Sequence, residues 1–154
     1  MKDIKGIPWT GMLPSELGRL TNLRWLEIDN AQFQNHVNNS TTTMTTSTTT
    51  AAATTATTTT TTTIPLEFSS LSKLQTFQIS NSNLGGTLHP LLFENLTNLE
   101  VLDLSGNNLT GTIPSEIGLL TNLRILNLQD NFFTGIPLLP TELQQLSLLD
   151  QVYT

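Results

Sequence analysis

Residues 97–120 read TNLEVLDLSGNNLTGTIPSEIGLL, and from residue 121 the chain continues TNLRILNLQDNFFTGIPLLPTELQQL. In the first of these stretches Leu102 and Leu104 alternate with Val101, Asp103 and Ser105, the period of a short strand with one buried face. Asn107 and Leu109 then turn the chain, and Gly111 permits a close approach that a larger side chain would resist. Ile113 and Pro114 open a second leg. Proline fixes φ and withholds a donor, which suits the entrance to a short helical segment over residues 115–118. Leu119 or Leu120 brings the chain back inward.

The same phrase recurs along the chain. Leu20-Thr-Asn-Leu23, Leu71-Ser-Lys-Leu74, Leu96-Thr-Asn-Leu99 and Leu120-Thr-Asn-Leu123 are spaced by 51, 25 and 24 residues. The first spacing exceeds one repeat by nearly the length of the tract at residues 41–63, 17 of whose 23 residues are threonine. The repeat that starts at Thr21 therefore breaks off after Asn35 and resumes at Ile64. The first twenty residues align with 101–120 without a gap, sharing Asp3, Gly6, Thr10, Gly11, Pro14, Ser15, Glu16, Gly18 and Leu20. One such unit cannot bury its own leucines, whereas stacked units bury a continuous ladder, with about three needed for stability.

The organisation expected is repeats over 1–39 (the first partial, the second begun), a Thr-rich insertion over 40–63, repeats again over 64–146, and a partial repeat or tail over 147–154. The tract has no charge, no Gly or Pro and no periodic apolar face, so disorder is expected there. An O-glycosylated spacer is its functional version. An ice-binding threonine surface would need a regular flat array, and a homopolymer supplies no register.

Leu99, Leu102, Leu104, Asn107, Leu109, Gly111, Ile113, Pro114, Ile117 and Leu120 together resemble the plant-type leucine-rich repeat of receptor-like proteins, receptor kinases and cell-wall enzyme inhibitors. The resemblance covers nearly all of the chain outside the tract. It implies an α/β repeat solenoid, a right-handed coil of about five turns with short parallel strands on the concave face. The family's turn asparagine satisfies backbone groups of the adjoining repeat. Asn107 and Asn131 hold that position here, while Ile7, Ala31 and Ser82 replace it elsewhere; Ser82 is expected to substitute in part. His89 stands where the Ile-Pro pair has proline. The family's secreted members carry cysteine-bearing caps, and this chain has no cysteine, which points to a fragment of a longer solenoid or a gene model cut at an internal Met.

Composition excludes several function classes. Six basic residues against twelve acidic ones, with no basic cluster, argue against a nucleic-acid or anionic-membrane surface. Without cysteine there is no disulfide framework, thiol nucleophile or Cys-ligated zinc. His36 and His89 are the only histidines and have no metal-ligand spacing, so no catalytic residue, metal site or cofactor is expected. No stretch is long and apolar enough to span a bilayer, and MKDIKGIPWTG lacks the apolar core of a signal peptide. An extracellular or cell-surface location, and a membrane anchor in a longer protein, would follow only from the family resemblance.

In the family's geometry each strand offers three residues to the concave face. They are Trp25, Glu27 and Asp29; Thr76, Gln78 and Ser80; Val101, Asp103 and Ser105; and Ile125, Asn127 and Gln129. Read down the stack, the first column is largely apolar, the second acidic or amide, and the third polar. These are the expected partner-binding residues, for a protein, peptide or glycan ligand, with Trp25 as anchor because tryptophan is enriched at interface hot spots. The acceptor triplets for N-glycosylation begin at Asn38, Asn39, Asn95 and Asn108. The reading is a non-catalytic recognition module; its alternative is a truncated remnant with no binding role of its own.

Overall fold

Each coil opens with a strand whose alternate side chains are buried: Leu26 and Ile28 in β3 (Trp25–Asp29), Phe77 and Ile79 in β7 (Thr76–Ser80), Leu102 in β9 (Val101–Asp103) and Leu126 in β11 (Ile125–Asn127). The computed structural model that shows this describes residues 3–6, 9–33, 36–38, 58–60 and 62–154. With β1 (Asp3–Ile4) and β13 (Gln151–Tyr153) at the edges, the strands form one six-stranded sheet in the order β1-β3-β7-β9-β11-β13. All its pairings are parallel, as expected of a solenoid that places one strand per coil. Residues 151–153 are thus the strand of a further repeat.

The helical part of each coil is a single 3-10 turn, at Ser15–Arg19, Leu66–Ser70, Pro90–Leu92, Ser115–Leu119 and Thr141–Gln145. Pro14, Pro65, Pro114 and Pro140 cap four of them in an extended conformation. The fifth has His89 in the cap, whose Nδ1 accepts from the Leu91 amide at 3.2 Å. A histidine therefore replaces proline by supplying an acceptor for a first-turn N–H. Adjacent turns pack so closely that a Cβ on Gly18 would lie 2.4 Å from the Glu67 carbonyl oxygen. Phe68, Leu92, Ile117 and Leu143 point inward from these turns, and Phe68 meets Phe77 with ring centroids 5.9 Å apart.

Asparagines stitch the coils together. Asn107 Nδ2 donates to the carbonyls of Ile79 (2.7 Å), Leu104 and Ser105, and its Oδ1 accepts from the amides of Ser82 (3.1 Å) and Leu84 (3.0 Å). Asn131 repeats the pattern on Leu104, Leu128, Gln129 and Leu109. Ser82 does half the work: its hydroxyl accepts from the Ala31 amide and donates to the Ser80 carbonyl. Ile7 lies outside the described residues. A second ladder explains the recurring Thr-Asn-Leu phrase: Asn98 and Asn122 each donate to a carbonyl of the preceding coil, Ser72 and Thr97, at 2.7 Å. Just after each strand, Gly6, Asn30, Asn81, Gly106 and Asp130 adopt positive φ between 50° and 65°, a conformation that glycine and Asn or Asp tolerate best.

On the other side of the coil, β2 (Thr10–Gly11) pairs with β4 (Gln32–Phe33), and β8 (Gly85–Thr87), β10 (Asn108–Gly111) and β12 (Phe132–Phe133) form a three-stranded sheet. Between β4 and β8 this second sheet is split. There β5 (His36–Asn38) pairs antiparallel with β6 (Thr58–Thr60), His36 opposite Thr60 and Asn38 opposite Thr58. Disorder was expected throughout 40–63, and residues 58–60 depart from it: an extended flank needs backbone partners, and β-branched threonine suits a strand. Thr62 departs from it too, being buried, with its carbonyl accepting from the Gly85 amide at 2.9 Å. Residues 39–57 and 61 lie outside the described residues, as does the expectation of disorder for them.

Candidate functional site

The sheet register brings the expected columns together. Trp25 stands opposite Thr76, Thr76 opposite Val101, and Val101 opposite Ile125. Glu27, Gln78, Asp103 and Asn127 are likewise paired in sequence, and Asp29 pairs with Ser80. Ser105 and Gln129 lie two residues beyond Asp103 and Asn127, continuing the third column. Because side chains alternate along a strand, burying Leu26, Phe77, Leu102 and Leu126 turns the first two columns outward. Trp25, Glu27, Thr76, Gln78, Val101, Asp103, Ile125 and Asn127 are all half-buried.

The columns are hydrogen-bonded laterally. Asp103 accepts from the Ser105 hydroxyl at 2.6 Å and the Ser105 amide at 3.0 Å, and from Asn127 Nδ2 at 3.2 Å. Asp29 accepts from Ser80 Oγ (3.0 Å), Asn81 Nδ2 (3.1 Å) and Asn30 Nδ2 (2.8 Å). The Asn81 amide, with Ser80 and Asn30 after it, holds the Asp29 carboxyl below its ordinary value, against an upward push from burial. Ser80, 5% exposed, is therefore mainly a strut for Asp29.

Four residues join this face that sequence reasoning left out. Gln151 and Tyr153 pair with Ile125 and Asn127 and extend the first two columns. At the other edge Asp3 stands opposite Trp25, two residues out of the repeat phase, which would set it level with Glu27 and Asp103. A slip of two keeps Ile4 facing inward, so the core tolerates it. Its effect is to bring Lys5 to the first strand pair: the ammonium lies 5.0 Å from the Trp25 ring centroid and 3.7 Å from Glu27 Oε2.

Other candidates fall elsewhere. Asn95 is exposed, and Asn108 sits in β10 with its amide donating to Asn83 Oδ1. The side chain of Asn38, and all of Asn39, lie outside the described residues. An open cleft of about 360 Å3, lined by Met12, Leu13, Pro14, Ser15, Glu16, Thr62, Thr63 and Pro65, uses no residue of the concave columns. Among the described residues no three or more His, Cys, Asp or Glu side chains cluster in a way that could hold a metal ion, and no helix is long and apolar enough to cross a membrane.

Two leucine-rich-repeat family models match the chain, one over residues 72–133 and one over 122–146. Among solved structures, a TDR receptor is 30% identical over 98% of this chain, with a TM-score of 0.73. The plant peptide hormone receptor RGFR1, solved in complex with RGF2, is 24% identical over 97% of it, also with a TM-score of 0.73. A plant ice-binding protein is 29% identical over 82% of it, with a TM-score of 0.60. The chain covers 21%, 19% and 32% of these three chains respectively, about a fifth of either receptor. No curated protein matches it. Leucine ladders, asparagine-bonded turns and a proline-capped second leg recur in the coil that these matches share: the chain carries leucine-rich repeats, matched by family models over residues 72–146, and is similar to plant-type leucine-rich-repeat ectodomains.

Proposed function

We propose that the concave six-stranded sheet is a non-catalytic recognition surface for an extended peptide or protein segment. The observation that carries this is the register itself: an apolar column of Trp25, Thr76, Val101 and Ile125 runs beside a hydrogen-bonding column of Glu27, Gln78, Asp103 and Asn127. Parallel strands lie about 4.8 Å apart, so six of them present a face roughly 24 Å long, enough for about seven extended residues. A ligand crossing the strands would lay apolar side chains on one column and backbone groups on the other. The solved TDR relative is a receptor, and RGFR1, of the same fold, was solved in complex with RGF2, which supports the reading. The face is small beside a standard protein interface of about 20–30 residues a side, so a peptide suits it better than a folded protein.

The ice-binding relative raises another use of the same coil, for which a regular flat array of hydroxyls would be needed, and the second sheet is where threonines stand in a row. Here the exposed row on that sheet runs Thr87, Thr110, Phe132, so the array breaks at its third strand.

The test is to select binders from a random-peptide display library and measure their affinity for variants. Trp25→Ala should cost about tenfold or more, as hot-spot tryptophans do. Asp103→Lys should weaken binding as well, while Asn95→Gln should leave it unchanged. Equal losses from all three substitutions would place the site off the concave face.

A further inference from the structure

We propose that Trp25 and Glu27 form a subsite for a cationic side chain of the ligand, arginine above all, and that Lys5 fills this subsite in the unliganded protein. The inference rests on the concave face being the recognition surface.

Three observations carry it. The first is geometric: Lys5 Nζ sits 5.0 Å from the Trp25 ring centroid and 3.7 Å from Glu27 Oε2, so the pair already holds a cation. The second concerns which carboxylate has capacity. Asp29 is engaged by Ser80, Asn81 and Asn30, and Asp103 by Ser105 and Asn127, whereas Glu27 meets the Lys5 ammonium at a distance longer than a direct hydrogen bond. The third is exchangeability. The side chains of Lys5 and Glu27 are 49% and 41% exposed, so solvent screens their pairing, and Lys5 follows directly on the two-residue edge strand β1.

An arginine would outcompete the lysine on chemical grounds. A guanidinium is planar, so it can stack on the indole while its fork donates two hydrogen bonds to one carboxylate; an ammonium is a strongly hydrated point charge. The surrounding charge favours the same ligand. Asp3, Glu27, Asp29 and Asp103 on this face outnumber Lys5, so a cation is attracted and an anion repelled. Glu27 and Asp103 share a column two strands apart, about 10 Å, which is the span of three extended residues. Side chains of an extended peptide alternate, so a second basic residue two or four positions along, about 7 or 13 Å away, shares the face of the first and its long side chain reaches toward Asp103.

The experiment uses the full chain and two capped glycine-serine peptides, one carrying a single arginine and the other a single glutamate. Binding is read from the Trp25 indole N–H resonance, assigned by its loss in Trp25→Phe. The arginine peptide should shift that resonance and the glutamate peptide should not. Lys5→Ala should tighten the arginine peptide by about threefold, the worth of one exposed cation–π contact, and Glu27→Gln should weaken it by a similar factor. The proposal is overturned if the arginine peptide leaves the resonance unmoved, if the glutamate peptide binds equally well, or if Lys5→Ala fails to tighten binding. Library-selected peptides that respond to Asp103→Lys but ignore Lys5→Ala and Glu27→Gln would overturn the subsite and leave the recognition surface standing. If no selected peptide responds to Trp25→Ala or Asp103→Lys, the recognition surface itself is refuted.

Discussion

Residues 72–133 and residues 21–66 are written in the same repeat, yet they are held together differently. In the first region the turn asparagine is present, and Asn107 joins the coil of β7 to that of β9 through three hydrogen bonds to backbone groups of Ile79, Ser82 and Leu84, with two more to Leu104 and Ser105 of its own coil. The second sheet there runs unbroken from β8 through β10 to β12. In the other region Ala31 takes the asparagine's place, Ser82 supplies a single acceptor for the Ala31 amide, and the second sheet is split where β5 and β6 leave it. The concave sheet nonetheless passes through both regions without a break, with all five residues of β3 in register with β7. Buried apolar strand residues are thus sufficient to align the concave sheet, while the outer half of a coil can be opened to take an insertion.

The largest effect should come from removing the asparagine stitch. Asn107→Ala orphans the buried amides of Ser82 and Leu84, at about 1–3 kcal/mol each, so a loss of about 4 kcal/mol in urea unfolding is expected. A loss below about 1 kcal/mol would mean that the two regions do not differ in the way described.

The insertion supplies the next test. Replacing residues 39–57 by an Asn-Gly turn should change stability by less than about 1 kcal/mol, since loop length costs little and the β5–β6 pair is retained. Extending the deletion through residue 63 removes buried Thr62 and the acceptor of the Gly85 amide, and should cost about 2 kcal/mol more. Equal stability of the two deletions would return Thr62 and Thr63 to the insertion.

Ser82→Ala should cost about 1–2 kcal/mol by orphaning the Ala31 amide, whereas Ser82→Asn should be neutral or stabilising because it restores the motif. Urea midpoints of the two variants, compared with the parent, decide whether the serine is a partial substitute. The smallest effect concerns Asp29. Its folded-state carboxyl is held below the ordinary value of 3.8, so its contribution is present at neutral pH and fades as pH falls below 3.8 through the lowered value. Asp29→Asn should flatten that acid limb slightly, visible as a smaller shift of melting midpoint between pH 6 and pH 3.

Much of this difference was legible in the residues. The leucine spacing located the strands, and the four central strands pair in the phase that the repeats imply. The role of Asn107 and the half-role of Ser82 also followed, because a buried backbone amide needs an acceptor and only some side chains supply one. Three features were not legible, for separate reasons. The positive-φ position is shared by Gly6, Asn30, Asn81, Gly106 and Asp130, which look unrelated until their common backbone angle is seen. Lys5 was missed because edge strand β1 slips by two residues, a shift that preserves the inward face and leaves no mark on the hydrophobic pattern. Thr62 and Thr58–Thr60 were missed because one threonine among 17 carries nothing that says where the chain regains its register.

The central claim, that the concave columns are the recognition surface, is most directly tested by mapping a library-selected peptide onto the amide and side-chain resonances of the isotopically labelled chain. Shifts should concentrate at Trp25, Glu27, Gln78, Asp103 and Asn127, fading toward Asn95 and the second sheet. Shifts centred instead on Thr87, Thr110 and Phe132, with Trp25 and Asp103 unmoved, would contradict it.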